Sequence, residues 1–205
     1  MPSKNVLKVD EADSFYHVYA SGAGKQPIFR DHEDFVFFLQ LLQRYLSPEV
    51  IVNAVGTPYE KLNESVELLA YCLMGNHFHL LLYQHKTGGM QRLMRGVMTS
   101  YSRYFNQAYN RTGPLFESRY KASRLSADAL QHISRYIHLD PKDWRLYPYS
   151  SMQYYLNADG PDWLQTGKIL ALFASRQEYT DFVGDSEAAQ RELENIKHEL
   201  ANPLS

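Results

Sequence analysis

The spacing of apolar positions changes several times along the chain, and each change marks an element. Residues 14–20, Ser-Phe-Tyr-His-Val-Tyr-Ala, are rich in β-formers and predict a strand. The polar stretch 21–27, which holds Gly22, Gly24 and Pro27, predicts a loop. Phe35, Phe38, Leu39 and Leu42 then recur at helical spacing, with Asp31 placed to cap and Ser47-Pro48 placed to stop, which predicts a helix over 31–46. Residues 49–65 are open: 50–55 could form a short strand, and 56–65 read as loop. Two apolar runs, 66–73 and 77–83, predict strands, and Gly75-Asn76 between them predicts a hairpin, with the order of the favoured Asn-Gly pair reversed. Gly88-Gly89 opens a long helix reaching about Tyr109, and 119–125 predicts another strand. Ser126 is placed to cap a helix that Pro141 ends near Leu139 or Asp140. Residues 168–183 and 186–201 have helical spacing, the second polar nearly all round.

Hairpins mixed with single helices predict an α+β fold: an antiparallel β-sheet with packed helices, plus a C-terminal helical extension. A length of 205 residues suits one globular domain with a real core. No run of about 18 apolar residues is present, so no membrane partner is expected. The start lacks the apolar stretch of a signal peptide, and the single cysteine, Cys72, excludes an internal disulfide and a cysteine-rich zinc site. A cytoplasmic protein is expected.

Charge narrows the function classes. The net charge of −2 argues against a general polycation, but its distribution is uneven. Residues 85–124 carry eight Lys or Arg and one acidic residue, Glu117, while 178–205 carry two basic and seven acidic residues. The basic stretch is interleaved with aromatics, from Arg95 through Tyr101, Arg103, Tyr104, Phe105 and Tyr109 to Arg119, Tyr120, Lys121 and Arg124. Cations neutralise phosphates and rings stack on unpaired bases, so this pattern suits a nucleic acid. It equally suits an amphipathic helix with a solvated basic face and an aromatic core face. Arg95, Arg103, Arg119 and Lys121 are the candidate DNA-backbone contacts.

Two further features carry chemistry. In a strand His77 and His79 project from one face, leaving Phe78, Leu80 and Leu82 for the core. Two imidazoles on a rigid strand are half of a divalent metal site, although such a pair is also a common surface feature. His132, Tyr136 and Asp140 follow an i, i+4, i+8 ridge beside the apolar stripe Leu130, Ile133 and Ile137, which places Tyr136 at the edge of a buried seam. A metal half-site, a tyrosine beside a carboxylate and a basic aromatic surface together suit phosphodiester chemistry.

The segments Tyr16–Phe29, 68–82, 100–122 and 135–141 carry a resemblance to the IS200/IS605-like single-tyrosine transposases, nearest to the branch associated with repetitive extragenic palindromes. It runs from about Tyr16 to Trp144 and more loosely to Val183. The resemblance implies a ferredoxin-like, His-hydrophobe-His (HUH) nuclease fold. It implies metal ligation by His77 and His79, with Asp140 where many relatives have Gln or Asn as a third ligand, and Tyr136 as the nucleophile. A carboxylate suits Mg²⁺ or Mn²⁺. The implied activity is a metal-dependent nicking and joining of single-stranded DNA beside a hairpin through a 5′-phosphotyrosine, with a homodimer as a possible assembly. Met-Gly-Asn-His replaces the frequent Met-Pro-Asn-His in the hairpin, the loop 21–27 lacks an arginine often found there, and 49–65 reads as an insertion.

Tyr101 and Tyr104 compete with Tyr136 as nucleophile, without its carboxylate neighbour. The rival function is a non-catalytic module binding hairpin DNA or RNA; a hydrolase of small phosphoesters fits the polymer-like surface less well. Residues 1–183 are expected to form the nuclease domain with its helical C-terminal part. Residues 184–205 are expected to form an acidic helical tail, and the acidic stretch from Glu178 could fold over the basic surface.

Overall fold

A computed structural model describes residues 10–157 and 159–185. Four strands form one antiparallel sheet: β1 (Ser14–Ser21), β2 (Val66–Met74), β3 (His77–Gln84) and β4 (Lys121–Leu125), in the spatial order β2-β3-β1-β4. The helices are α1 (His32–Leu46), α2 (Gly89–Ala108), α3 (Leu130–Leu139), α4 (Met152–Leu156), α5 (Gly167–Leu170) and α6 (Arg176–Gly184). This is the expected α+β architecture.

Alternation along the strands builds two cores, one on each side of the sheet. Tyr16, Val18 and Ala20 of β1 join Phe78, Leu80 and Leu82 of β3 on the face covered by α1 and α2. Leu81 of β3 joins Leu69, Ala70 and Cys72 of β2 on the other face, under Leu130, Ile133 and Ile137 of α3 and Tyr179 and Val183 of α6. The run in β2 does not alternate, and a bulge explains it. The register against β3 slips between Leu68 and Ala70, so Leu69 and Ala70 face the same core.

Helix α1 begins where expected, with the Asp31 side chain accepting from the Asp34 amide. Gly88 takes φ 81° ahead of α2, and a Cβ on Gly89 would come within 2.8 Å of the Ser65 carbonyl oxygen, so both glycines are required. The β2–β3 turn is tight, yet neither Gly75 nor Asn76 has a positive φ. It is clamped instead by the loop after β1: the amides of Ile28 and Phe29 donate to Gly75, and that of Gly22 to Asn76.

Several expectations are corrected. Residues 50–55 form no strand, only a Val52–Pro58 bridge, and Val50, Val52 and Val55 are exposed. Ser126 does not cap with its side chain; a short 3-10 turn, Ala127–Ala129, leads into α3. The helix expected over 168–183 is two, α5 and α6, because the Ser175 side chain accepts from the Glu178 amide while Glu178 accepts from Ala174, a reciprocal cap that starts a new helix. The helix expected over 186–201, and the acidic tail beyond Asp185, lie outside the described residues. Among the described residues no helix is long and apolar enough to cross a membrane.

Candidate active site

The face of the sheet that carries α3 is polar at one end. His77 and His79 project there from β3, as alternation requires, with His17 and Tyr19 beside them on β1. Helix α3 crosses above. The Tyr136 ring stands edge-on to His79 at 5.4 Å and to His17 at 5.8 Å between centroids. Asp140, one residue beyond α3, reaches His77: its Oδ2 lies 2.9 Å from His77 Nε2 and 4.0 Å from His79 Nε2.

The two histidines are held in the same sense. Each has its Nδ1 engaged by the protein, His77 with Asn76 Oδ1 at 2.7 Å and His79 with His17 Nε2 at 2.8 Å. Each therefore turns its Nε2 toward the same carboxylate oxygen. The His77 Nε2–Asp140 Oδ2 contact is a hydrogen bond whose proton a bound cation would replace. One ligand atom from each of His77, His79 and Asp140 lies within 4.8 Å of the other two. Two imidazoles and a carboxylate fit a divalent ion of the Mg²⁺ to Mn²⁺ to Zn²⁺ range. The side chains of His77 and Asp140 are 26% and 22% exposed, so the cluster is open to a ligand from solvent.

Burial sets the protonation states. It holds the His79 imidazole well below its ordinary value, His17 adding to the effect, and takes His17 down to about 3. Both are neutral at pH 7, the form that ligates metals and accepts hydrogen bonds. The Tyr136 hydroxyl is pushed up to about 12, first by burial and then by the Asp140 charge and Tyr19. The phenol is thus protonated in the resting protein.

The structure brings His77, His79, Tyr136 and Asp140 together. His132, on the same predicted ridge, lies instead beside the Phe182 ring, 5.9 Å away. Tyr101 is fully buried on the opposite side of the sheet, its hydroxyl donating to the Ile28 carbonyl, and Tyr104 stacks on Phe37 there. Neither competing tyrosine reaches the histidines.

The four basic candidates divide. Lys121 pairs with Tyr19 across β1 and β4, on the histidine face, with its Nζ 5.9 Å from the Tyr19 ring centre. Arg119 shares a shallow recess with Tyr19 and Lys121, and also lines a cleft of about 1070 Å³ between α2 and residues 113–120. Arg95 lines that cleft too, beside Met94 and Met98. Arg103 is exposed on α2, a helix of the other face. His17 and Tyr19 were missed as site residues. The alternation inside 14–20 was the signal: it puts them opposite Tyr16, Val18 and Ala20.

Comparison with solved structures finds a REP-associated tyrosine transposase bound to a REP hairpin, 11% identical, covering 77% of this chain and 89% of the other, with a TM-score of 0.53. That likeness establishes the fold. A transposase candidate from Deinococcus radiodurans is 16% identical over 67% of this chain and 95% of its own, with a TM-score of 0.40. A bacterial tRNA(His) guanylyltransferase-like protein in complex with GTP is 12% identical over 80% of this chain and 77% of its own, with a TM-score of 0.41. Neither score is high enough to establish a shared fold. No curated protein matches the chain. The family model described as "Transposase IS200 like" matches residues 43–140, a span that includes the histidine pair, the tyrosine and the aspartate. That match covers just under half of the chain, and over this span the chain is similar to the IS200-like transposases.

Proposed function

We propose that this protein is an IS200-like transposase that nicks and rejoins single-stranded DNA beside a hairpin, with Tyr136 as the nucleophile and His77, His79 and Asp140 as ligands of Mg²⁺ or Mn²⁺. The observation that carries this reading is the position of Tyr136: its ring abuts His79 while Asp140, four residues on, touches His77. The likeness to a structure holding a REP hairpin supports the choice of DNA.

When bound, the divalent ion supplies Lewis-acid polarisation of the scissile phosphate and charge relief at the departing oxygen. The chain's own residues do the rest. Tyr136 attacks phosphorus through its hydroxyl oxygen; the tyrosyl O–P bond forms, the P–O3′ bond breaks, and the phenolic proton is balanced by the proton gained on the 3′ oxygen. A 3′-hydroxyl from a second strand reverses the step, so no external energy source is consumed. Burial, and after it the Asp140 charge, raises the proton affinity of Tyr136, so the phenol enters the reaction protonated. Lys121 and Arg119, at the rim shared with Tyr19, steer the strand toward Tyr136, and the cleft that Arg119 also lines reaches Arg95, with Asp10 and Glu117 on its walls. Arg103 contributes charge at longer range. The cytoplasm is the compartment this activity requires.

The test is a denaturing-gel assay with Mn²⁺ and a pool of hairpin oligonucleotides carrying 5′ flanks. Wild type forms a covalent protein–DNA adduct, and neither Tyr136→Phe nor His77→Ala does. Binding that survives a chelator and Tyr136→Phe, with no adduct, would leave a hairpin-binding module instead.

A further inference from the structure

We infer that His17 is a positioning residue of the metal centre: it takes the Nδ1 proton of His79 in a hydrogen bond and so presents the His79 Nε2 lone pair to the cation. The inference rests on the metal-centre reading above and adds a residue to it.

The geometry is specific. His17 Nε2 and His79 Nδ1 are 2.8 Å apart, and the two rings stack at 5.0 Å with 18° between their planes. Both imidazoles are buried, His17 completely. Two neutral imidazoles in contact through one nitrogen each must share one proton, which allows two arrangements. If His17 donates, the remaining proton of His79 sits on Nε2, which faces Asp140 and cannot then ligate. If His79 donates, Nε2 is bare and ligation is open. Only the second is compatible with a cation between His79 and Asp140.

That second arrangement puts the proton of His17 on Nδ1, which has no hydrogen-bond partner among the described residues. The hydroxyl of Ser123 is also buried without a partner. Ser123 is the residue directly opposite His17 in the β1–β4 ladder, so its side chain stands on the same face. A hydroxyl of the right type thus stands on the same face of the adjoining strand, although no hydrogen bond joins it to His17 Nδ1. The His77 ligand is oriented by its neighbour in sequence, Asn76; the His79 ligand is oriented by a residue 62 positions earlier, on another strand. Strand β1 therefore belongs to the metal centre as well as to the sheet.

The experiment measures Mn²⁺ affinity of the full chain without DNA, by calorimetry and by electron paramagnetic resonance. His17→Phe keeps the ring stack and removes the acceptor; it is expected to weaken Mn²⁺ binding by about 10–100-fold. His17→Gln offers an amide oxygen and is expected to restore affinity to within a few-fold of wild type. In parallel, ¹⁵N–¹H correlation spectra of the Zn²⁺-loaded wild type, assigned with His79→Gln, are expected to show the His79 proton on Nδ1. Wild-type affinity in a folded His17→Phe variant overturns the inference. So does a His79 proton on Nε2 in the loaded wild type, a readout that stands even where His17→Phe fails to fold. The parent reading fails differently: there His77→Ala leaves Mn²⁺ affinity unchanged, whereas failure of the His17 inference alone leaves the His77→Ala loss intact.

Discussion

Replacing His138 with phenylalanine is expected to loosen the helix that carries Tyr136 and Asp140, and the cost can be worked from the structure. His138 lies between those two residues on α3 but faces the other way, fully buried. Its Nδ1 is 2.6 Å from the Tyr179 hydroxyl on α6, and its Nε2 is 2.8 Å from Ser151 Oγ. Ser151 Oγ in turn accepts from the Tyr71 amide of β2 at 2.8 Å, so one imidazole ties α3 to α6 and to the sheet. Phenylalanine keeps a planar aromatic ring, slightly larger than the imidazole, against the edge of Tyr155. It removes one hydrogen bond from Tyr179 and one from Ser151, at about 0.5–1.5 kcal/mol apiece or about 1–3 kcal/mol together, since Tyr179 keeps Ser134 Oγ and Ser151 keeps the Tyr71 backbone. For a chain of this size that lowers Tm by about 2–12 °C.

The same residue has a pH signature. Burial takes its imidazole from an ordinary 6.5 down to about 3. The folded protein keeps His138 neutral while the unfolded chain takes up a proton below about pH 6.5, so this stability is complete above that pH and is lost as pH falls toward 3. One proton is worth about 1.4 kcal/mol per pH unit, and His138→Phe removes it. The gap between wild type and variant should narrow by about 2 kcal/mol from pH 7 to pH 5. Urea unfolding at pH 7, 6 and 5, followed by tyrosine fluorescence and far-ultraviolet dichroism, measures both effects. A gap below about 0.5 kcal/mol at pH 7, or one that does not change with pH, would refute the reasoning.

Three further outcomes are expected. Asp140→Asn removes the one formal charge of the candidate ligand set and should weaken Mn²⁺ binding at least about tenfold by calorimetry, while leaving the melting curve close to wild type. Tyr101→Phe loses the hydroxyl bond to the Ile28 carbonyl, which should cost about 1–2 kcal/mol in urea unfolding and leave covalent adduct formation intact, since Tyr101 lies across the sheet from the histidines. Lys121→Ala should weaken single-strand binding and reduce the slope of log affinity against log salt by about 0.7, read from fluorescence anisotropy at several salt concentrations.

What could be read before the structure follows a physical division. Locally encoded features were legible: the Asp31 cap, the β2–β3 hairpin, the glycines that open α2, and the histidines sharing one strand face. The period-2 argument that put His77 and His79 together applies equally to 14–20, where it places His17 and Tyr19 on a single face. What it could not supply was which face, because β1 lies between β3 and β4 through pairings between distant segments. Proximity of Tyr136 to the pair is tertiary in the same way: helical spacing linked it to Asp140, and only the docking of α3 set both over β3. The same spacing linked His132 to that ridge, yet His132 packs toward Phe182. Residues 168–183 show a local signal overlooked, since Ser175 and Glu178 spell a helix start inside an apparently continuous run. At 50–55 the apolar run met no strand to pair with, so its valines stayed exposed. The basic stretch was legible as charge, but its division between α2 and the rim of β4 depends on the path of 109–120, which no periodicity describes.

The measurement that tests the central claim most directly is the covalent adduct itself: radiolabelled hairpin oligonucleotides with 5′ flanks, incubated with Mn²⁺ and resolved under denaturing conditions. The account predicts a protein-linked 5′-phosphate in wild type, mapped by mass spectrometry to the peptide holding Tyr136 and missing in Tyr136→Phe. An adduct on any other residue, or one that persists in Tyr136→Phe, would contradict it.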